Sequence, residues 1–472
     1  MKRVVIRERS VIPPFGEPAR ELRILNKPLW LLQRDILSRH CRGALELDAL
    51  DELPETTEEL LVYRDNLFFN EALIEEFLRL AKASGHACQI AFSPEDAAIT
   101  NHALSLQEGI RAVTRRDERG IERVQHYVAD LFYYPRGTTE EPQPVVVDTK
   151  PREMGYYQIP SYMARHGDLV FQVPMRPFLS IENWVHVFLA NSPFGVFSWG
   201  RTHEELVEKS WKEKLAVSLT SIADRLRPFG DAWRNHFLAS SRLVKVGKNC
   251  SIDPSATIHG PTIIGNNVTI GAGVTITNSL IGDNVTIQQG SQVMLSVVSD
   301  RCFLPWNASL FMTTLMDYSM VAQLSCLQMC VVGKHTFIGA GNIFTDFHLL
   351  NQPLRTFHQR RGESEPKLEP IGLPVIGSAI GHNVKIGSGF VFYPARMIGS
   401  NTVLIYNDSE TVIRHNVNVS TEEQPEDDDH EPKRRVYLWP HEYDELTKQR
   451  IDPTHDQFDA FPMPSNSIRT RY

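Results

Sequence analysis

His335 and His348 flank the run Ile338-Gly339-Ala340-Gly341, and His358 follows in the proline-bearing stretch 349–374. Imidazole has its ordinary pKa nearest neutrality, so each of the three is a candidate general base for taking a proton from an attacking group. The competing reading is structural, because histidines are common at the solvated corners of repeat folds. Cys326 and Cys330 are the close pair among six cysteines. With no second cysteine pair or histidine pair beside them they read as two small core residues rather than a metal site. The scattered thiols read as reduced, which fits a cytoplasmic chain.

The element that would position these side chains shows as a repeat. From Val246 an aliphatic residue recurs every six positions, at Ile252, Ile258, Ile264, Ile270 and Ile276, with Gly247, Gly265 and Gly271 next to three of them. The rule returns at Ile380, Ile386, Phe392 and Ile398, and Ile338-Gly339 lies between the two runs. A helix would scatter such positions around its surface, and a plain strand alternates with period two. Short strands joined by turns satisfy the spacing, with one inward aliphatic per flat side. Gly265-Asn266-Asn267 and Gly282-Asp283-Asn284 then turn corners, and three sides close a coil of roughly eighteen residues. Residues 245–405 are therefore expected to form a left-handed parallel β-helix of about seven or eight coils. Between about Val298 and Val332 the hexads blur into an apolar, Met-rich stretch, expected to contact another surface. Residues 349–374 carry prolines and a charge run and must leave the coil as a loop, either a solvated excursion or a functional insertion.

Residues 1–240 show no hexads. VVI, LVYRDNLFF, QIAF, HYVADLFYY, PVVVD and DLVFQV read as strands, and LWLLQRDIL, EALIEEFLRLAKASG, ENWVHVFLAN and WKEKLAVSLTSIADRL as helices, which together indicate an α/β domain. The last of these helices is expected to lead into the β-helix. Residues 420–472 begin as an acidic, Pro-bearing linker and end in an aromatic-bearing tail able to pack on the body or on a neighbour. Forty-two per cent hydrophobic and 22% charged residues describe a globular chain, and a formal charge of −8 gives no electrostatic footprint for nucleic acid. The N-terminus lacks the apolar run of a signal peptide, and no stretch is apolar for long enough to span a membrane.

An α/β domain followed by a left-handed β-helix resembles the bifunctional N-acetylglucosamine-1-phosphate uridylyltransferase/glucosamine-1-phosphate acetyltransferase family. Residues 319–348 run without gaps against that family's acetyltransferase segment and share its Ile-Gly-Ala-Gly at 338–341. On this alignment the family's catalytic histidine falls on Gln323, its Asn-Tyr pair on Asp346 and Phe347, and its downstream lysine on Gln352. The resemblance implies an acyl donor, acetyl-CoA or another acyl-CoA, bound around Gln323 to His348. Glutamine cannot accept the proton, so the base would come from His335, His348 or His358 if a neighbouring subunit's loop folds over the coil.

The N-terminal segment EPARELRILNKPLW resembles the nucleotidyltransferase run that ends in Gly-Lys-Pro, with Asn26, Lys27 and Pro28 at that end. Glu8 to Ile12 fall where the family has its Gly-x-Gly-Thr-Arg loop, and Ala19 where it has its catalytic lysine. The missing glycines remove the close backbone cradle for a triphosphate, and Arg20 is the cation placed to replace the lost charge. Tyr63-Arg64-Asp65-Asn66 resembles the family's Gly-Asp-Asn strand end, which implies Asp65 as a ligand of Mg²⁺; a plain turn or a helix N-cap are the alternatives. Lys27 is implied as a phosphate or sugar contact, against a solvated strand end.

Two functions stand on these residues. One is a sugar-1-phosphate nucleotidyltransferase or acyltransferase of nucleotide-sugar metabolism, binding a nucleotide and a sugar phosphate. The other is a scaffold or nucleotide-sugar-binding regulator that kept the architecture and lost the chemistry. Either is expected to be a homotrimer, as the resemblance implies, with the Met-rich face buried between copies.

Overall fold

The computed structural model describes residues 1–116, 122–157, 169–209, 212, 215, 243–348, 352–405, 411–419 and 435–438. The first half is a mixed α/β body built from β1 (Lys2–Ile6), α1 (Leu29–Leu37), β2 (Ala44–Leu47), β3 (Leu60–Arg64), α2 (Glu71–Ser84), β4 (Cys88–Phe92), β5 (Ile110–Arg116), β6 (Glu122–Tyr134), β7 (Gln143–Val146) and α3 (Trp184–Asn191). α2 shows why the sequence folds this way. Leu73, Ile74, Phe77, Leu78 and Ala81 form one buried stripe, Asn70 caps the first turn by accepting from the Leu73 amide, and left-handed Gly85 ends the helix. Asp65 is therefore no cap of this helix; it stands at the end of β3. The expected helix at residues 211–226 and nearly all of the tail 420–472 lie outside the described residues.

Seven strands make the main sheet, in the order β7-β4-β6-β3-β1-β2 with β5 on the free part of β6. β1 runs parallel to both β2 and β3, while β6 is antiparallel to β3 and β4. From β1 the chain goes first to β2 on one side and then to β3 on the other. The strand order thus reverses at β1, and a crevice opens at the carboxyl ends of β1 and β3.

The second half is a β-helix of three parallel sheets with eight strands each, the second extended by an antiparallel strand, Arg435–Leu438. Its first strand is Val244–Val246 and its last coil closes at Val412–Ile413, which makes eight coils. The blurred stretch is regular after all. Its inward residues are Val298, Leu304, Leu310, Leu315, Val321, Leu327, Val332, Ile338 and Phe344, all buried, in steps of six, six and five. Each coil has lost one residue at a single corner, so a strict six-residue rule drifts out of phase while the strands stay stacked, Thr314 between Val297 and Val331. At that corner left-handed Leu295, Met312 and Met329 turn the chain.

Met312, Met316 and Met329 are fully buried, in one cluster with Trp184, Val187 and Phe188 of α3. The surface that meets the Met-rich stretch is thus the chain's own α/β body. These three side chains are therefore covered within one chain, while Trp306, Tyr318 and Leu324 of the same stretch stay exposed. A second corner carries a column of acids: Asp283, Asp300 and Asp317 accept from the amides of Asn266, Asp283 and Asp300 at 2.6, 2.8 and 3.2 Å. The segment after β1 docks along it, Arg23 Nε on Asp317 at 2.6 Å and Asn26 Nδ2 on Asp300 at 2.9 Å.

Higher on that corner Glu17 takes Lys334 Nζ at 2.8 Å and lies 3.5 Å from His382 Nε2. Burial pushes the Glu17 carboxyl up, but hydrogen bonding and charge from His382, then Lys334, outweigh it and bring it from 4.5 to about 2. A depressed carboxyl stabilises the fold fully above its unfolded value, and the contribution is lost as pH falls towards the folded one. Wild type is expected to exceed Glu17→Gln by about 1 kcal/mol near pH 6 and to lose that margin between pH 4.5 and 2. Urea midpoints across that range check it, and a margin independent of pH would refute the contact.

The insertion is not a plain loop. Its described part forms an antiparallel hairpin, β8 (Arg355–His358) and β9 (Lys367–Pro370), which turns back onto the α/β body. Trp184 Nε1 donates to Thr356 Oγ1 at 3.0 Å, Asn183 Nδ2 to the Phe357 carbonyl at 3.0 Å, and Leu354, Ile371 and Leu373 are buried in the shared core.

Candidate functional site

Arg7, Glu8 and Arg9 continue the chain beyond β1, Asp65 follows β3, and Pro18, Arg20 and Glu21 come from the segment between β1 and α1. Together they line a cleft of about 440 Å³ at the crevice between the two strand ends. Asp65 is buried, 1% exposed, and both its oxygens are engaged: Oδ1 accepts from the Glu8 amide at 2.8 Å and Oδ2 from Arg20 Nη1 at 3.2 Å. Burial dominates its titration and raises the carboxyl from 3.8 to about 6, against the lowering pull of the amide and of Arg20. A carboxyl group is thus kept at a sheet end where desolvation opposes its charge.

The cations of the cleft are held by carboxylates at its rim. Arg7 Nε donates to Glu46 Oε2 at 2.7 Å, and Arg9 Nη2 to Asp48 Oδ2 at 2.7 Å. These pairs are solvent-exposed and therefore weak, so an anion with phosphate geometry can compete for the guanidinium groups. Arg7 and Arg9 were missed by reading the sequence for a glycine loop; the signal available was the Arg-Glu-Arg run directly after an apolar strand. Among the described residues no three metal-ligating side chains cluster. Mg²⁺ needs few protein ligands when phosphate and water complete its shell, and Asp65 is compatible with that role.

The structure brings together Arg20 and Asp65, but not Lys27. Lys27 Nζ pairs with Asp35 Oδ2 at 2.7 Å, half-exposed, and is not among the residues lining the cleft. Its place matches the solvated strand end.

The candidate residues of the β-helix do not converge within one chain. His335 turns the corner between the first and second sides in the left-handed conformation, in the same column as Asn267 and Asn284, with its ring stacked on Tyr318 at 4.8 Å. Gln323 is exposed at the next corner, where its carbonyl accepts from the Gly341 amide. His348 lies beyond Ile343–Phe344, on the segment that leaves the coil for the insertion. Asp346 is held there too, its carbonyl accepting from Ile376 across the base of the insertion at 2.9 Å, and burial raises its carboxyl. His358 is 4% exposed on the docked hairpin, and burial lowers its pKa, so in this chain it is a neutral packing residue rather than an accessible base. Burial pushes the thiols of Cys326 and Cys330 up; Cys330 is the core residue expected, whereas Cys326, next to inward Leu327, is only half-buried.

Residues 244–278 match the family described as bacterial transferase hexapeptide (six repeats). The match spans the first two coils, and the stacked sheets carry the same architecture on through the remaining six. No curated protein matches the chain. Among the described residues no helix is long and apolar enough to cross a membrane.

Proposed function

We propose that the Asp65 cleft binds the phosphates of a nucleoside triphosphate and that the protein is a sugar-1-phosphate nucleotidyltransferase, of the type that makes UDP-N-acetylglucosamine. The observation that carries this reading is the convergence of Arg7, Arg9, Arg20 and Asp65 on the crevice where the strand order reverses. In this reaction an oxygen of the sugar phosphate attacks the α-phosphorus, the bond to the β-phosphate bridging oxygen breaks, and pyrophosphate leaves with the electron pair. Such a displacement needs positioned cations more than a covalent nucleophile. The guanidinium groups of Arg7, Arg9 and Arg20 hold phosphate oxygens and offset the charge gathering on pyrophosphate. Asp65 is the residue that would hold Mg²⁺, whose contribution is to neutralise phosphate charge.

The β-helix belongs to this reading as a scaffold. The hexapeptide match supports a transferase-type β-helix, but Gln323 supplies no proton acceptor and neither His335 nor His348 stands beside it. Thermal melting with UTP, dTTP, GTP, UDP-N-acetylglucosamine and acetyl-CoA, each with and without Mg²⁺, tests both halves. A ligand at about 100 times its Kd adds about 2.7 kcal/mol to the native state. One nucleotide is expected to raise Tm in a Mg²⁺-dependent way, the shift is expected to vanish in Arg20→Ala, and acetyl-CoA is expected to leave Tm unchanged. No shift with any nucleotide at millimolar concentration would overturn the reading in favour of a non-catalytic scaffold.

A further inference from the structure

We propose that the hairpin inserted in the β-helix completes the phosphate site of the α/β body, with Arg361, paired with Glu8, as a phosphate-contacting residue. The proposal rests on the reading of the Asp65 cleft as a phosphate site and adds to it a residue from the other half of the chain.

Three observations carry it. First, the coil does not need the hairpin. The strands on either side of the insertion pair directly, Val331 with Ala379 and Phe337 with Lys385, so the stack is continuous across the excursion. The hairpin instead crosses to the α/β body, anchored by Trp184, Asn183 and the Arg361 amide, which donates to Glu108 Oε2 at 3.0 Å.

Second, its tip ends at the cleft. Arg361 Nη2 meets Glu8 Oε2 at 2.5 Å, and the amide of the same Glu8 donates to Asp65. A carboxylate presents to a guanidinium the same kind of oxygens as a phosphate does, so Glu8 occupies the place that a phosphate oxygen would take.

Third, the charge balance asks for it. The cleft is lined by three guanidinium groups, Arg7, Arg9 and Arg20, and three carboxylates, Glu8, Glu21 and Asp65. A triphosphate therefore meets no net positive charge from the lining residues. Among the described residues two further arginines reach Glu8. Arg64 lies 3.6 Å from it but is already committed to buried Asp130 at 2.5 Å, whereas Arg361 is 42% exposed at the rim. Arg361 is thus the cation free to turn from Glu8 to an incoming phosphate, at the cost of a single exposed ion pair.

The test is calorimetric titration of the full chain with inorganic tripolyphosphate, in wild type, Arg361→Ala, Arg361→Lys, Glu8→Gln and the double variant. Arg361→Ala is expected to weaken tripolyphosphate about tenfold to a hundredfold with an unchanged ligand-free Tm, as loss of a charge-assisted contact would. Lysine should restore part of the affinity. Glu8→Gln frees Arg361 and is expected to tighten binding several-fold, a gain that disappears when Arg361 is also alanine; a merely structural hairpin tip would not produce that dependence. If Arg20→Ala loses tripolyphosphate while Arg361→Ala binds it as wild type does, the cleft stands and the proposal for Arg361 falls. If wild type binds none, both fall together.

Discussion

Replacing Phe344 with alanine is expected to lower the unfolding free energy by about 3–5 kcal/mol, the largest stability loss anticipated for a single side chain of the β-helix. Phe344 is fully buried, and its ring stacks on that of Phe392 at 4.1 Å and 1°. The two rings belong to coils on opposite sides of the insertion, so they fill the core where the chain departs and returns. Coils of a solenoid contact only their neighbours, and a cavity at this junction weakens the coupling between the coils below it and those above. Urea unfolding followed by circular dichroism measures the effect, with Gln323→Ala as the comparison. The exposed Gln323 bonds Gly341 through its backbone carbonyl, so its truncation is expected to stay within about 0.5 kcal/mol. A loss for Phe344→Ala below about 1.5 kcal/mol would mean that the coils on either side collapse onto the gap.

The same junction shows what the sequence discloses and what it hides. Inward aliphatics every sixth residue announce the β-helix because the period belongs to the backbone geometry itself. The steps of six, six and five between Val298 and Phe344 hide it from a fixed-period reading, although the fold is unchanged there. Met312, Met316 and Met329 announce an apolar contact but not its partner, since flexible thioethers fill a gap against a neighbouring subunit or against α3 equally well. At the cleft, the meeting of Arg20 and Asp65 is legible because each sits next to a recognisable strand-end or loop motif. Lys27 also sits in a motif that persists, but the motif does not disclose that Asp35 lies within reach and takes the ammonium. Arg361 was illegible, because its meeting with Glu8 depends on how the hairpin folds back and no local pattern encodes a contact across 353 positions.

Replacing Asp65 with asparagine is expected to make the protein more stable and less able to bind nucleotide. The carboxyl is 1% exposed, and its shift from 3.8 to about 6 means that the native state holds the proton more tightly than the unfolded chain does. Stability therefore falls as pH rises from about 4 to about 6 and stays lower above that range. Two pK units correspond to about 3 kcal/mol at neutral pH, the balance left after the Glu8 amide and Arg20 offset part of the desolvation of this carboxylate. Asparagine keeps the shape and the acceptor for the Glu8 amide but removes the charge. Arg20 loses one partner and keeps Glu21 and Glu46 nearby, at 3.3 and 3.7 Å. The expected net gain is about 1–2 kcal/mol at pH 7, vanishing near pH 4, where the wild-type carboxyl is itself protonated. Denaturant midpoints at the two pH values read the stability, and the nucleotide-dependent rise in Tm reads the function. A variant that is less stable at pH 7 would show that Asp65 is held for the Arg20 pair rather than against desolvation. A more stable variant that still binds nucleotide would remove Asp65 from the site. Gain in one measurement with loss in the other is the signature of a charge retained for chemistry at the expense of the fold.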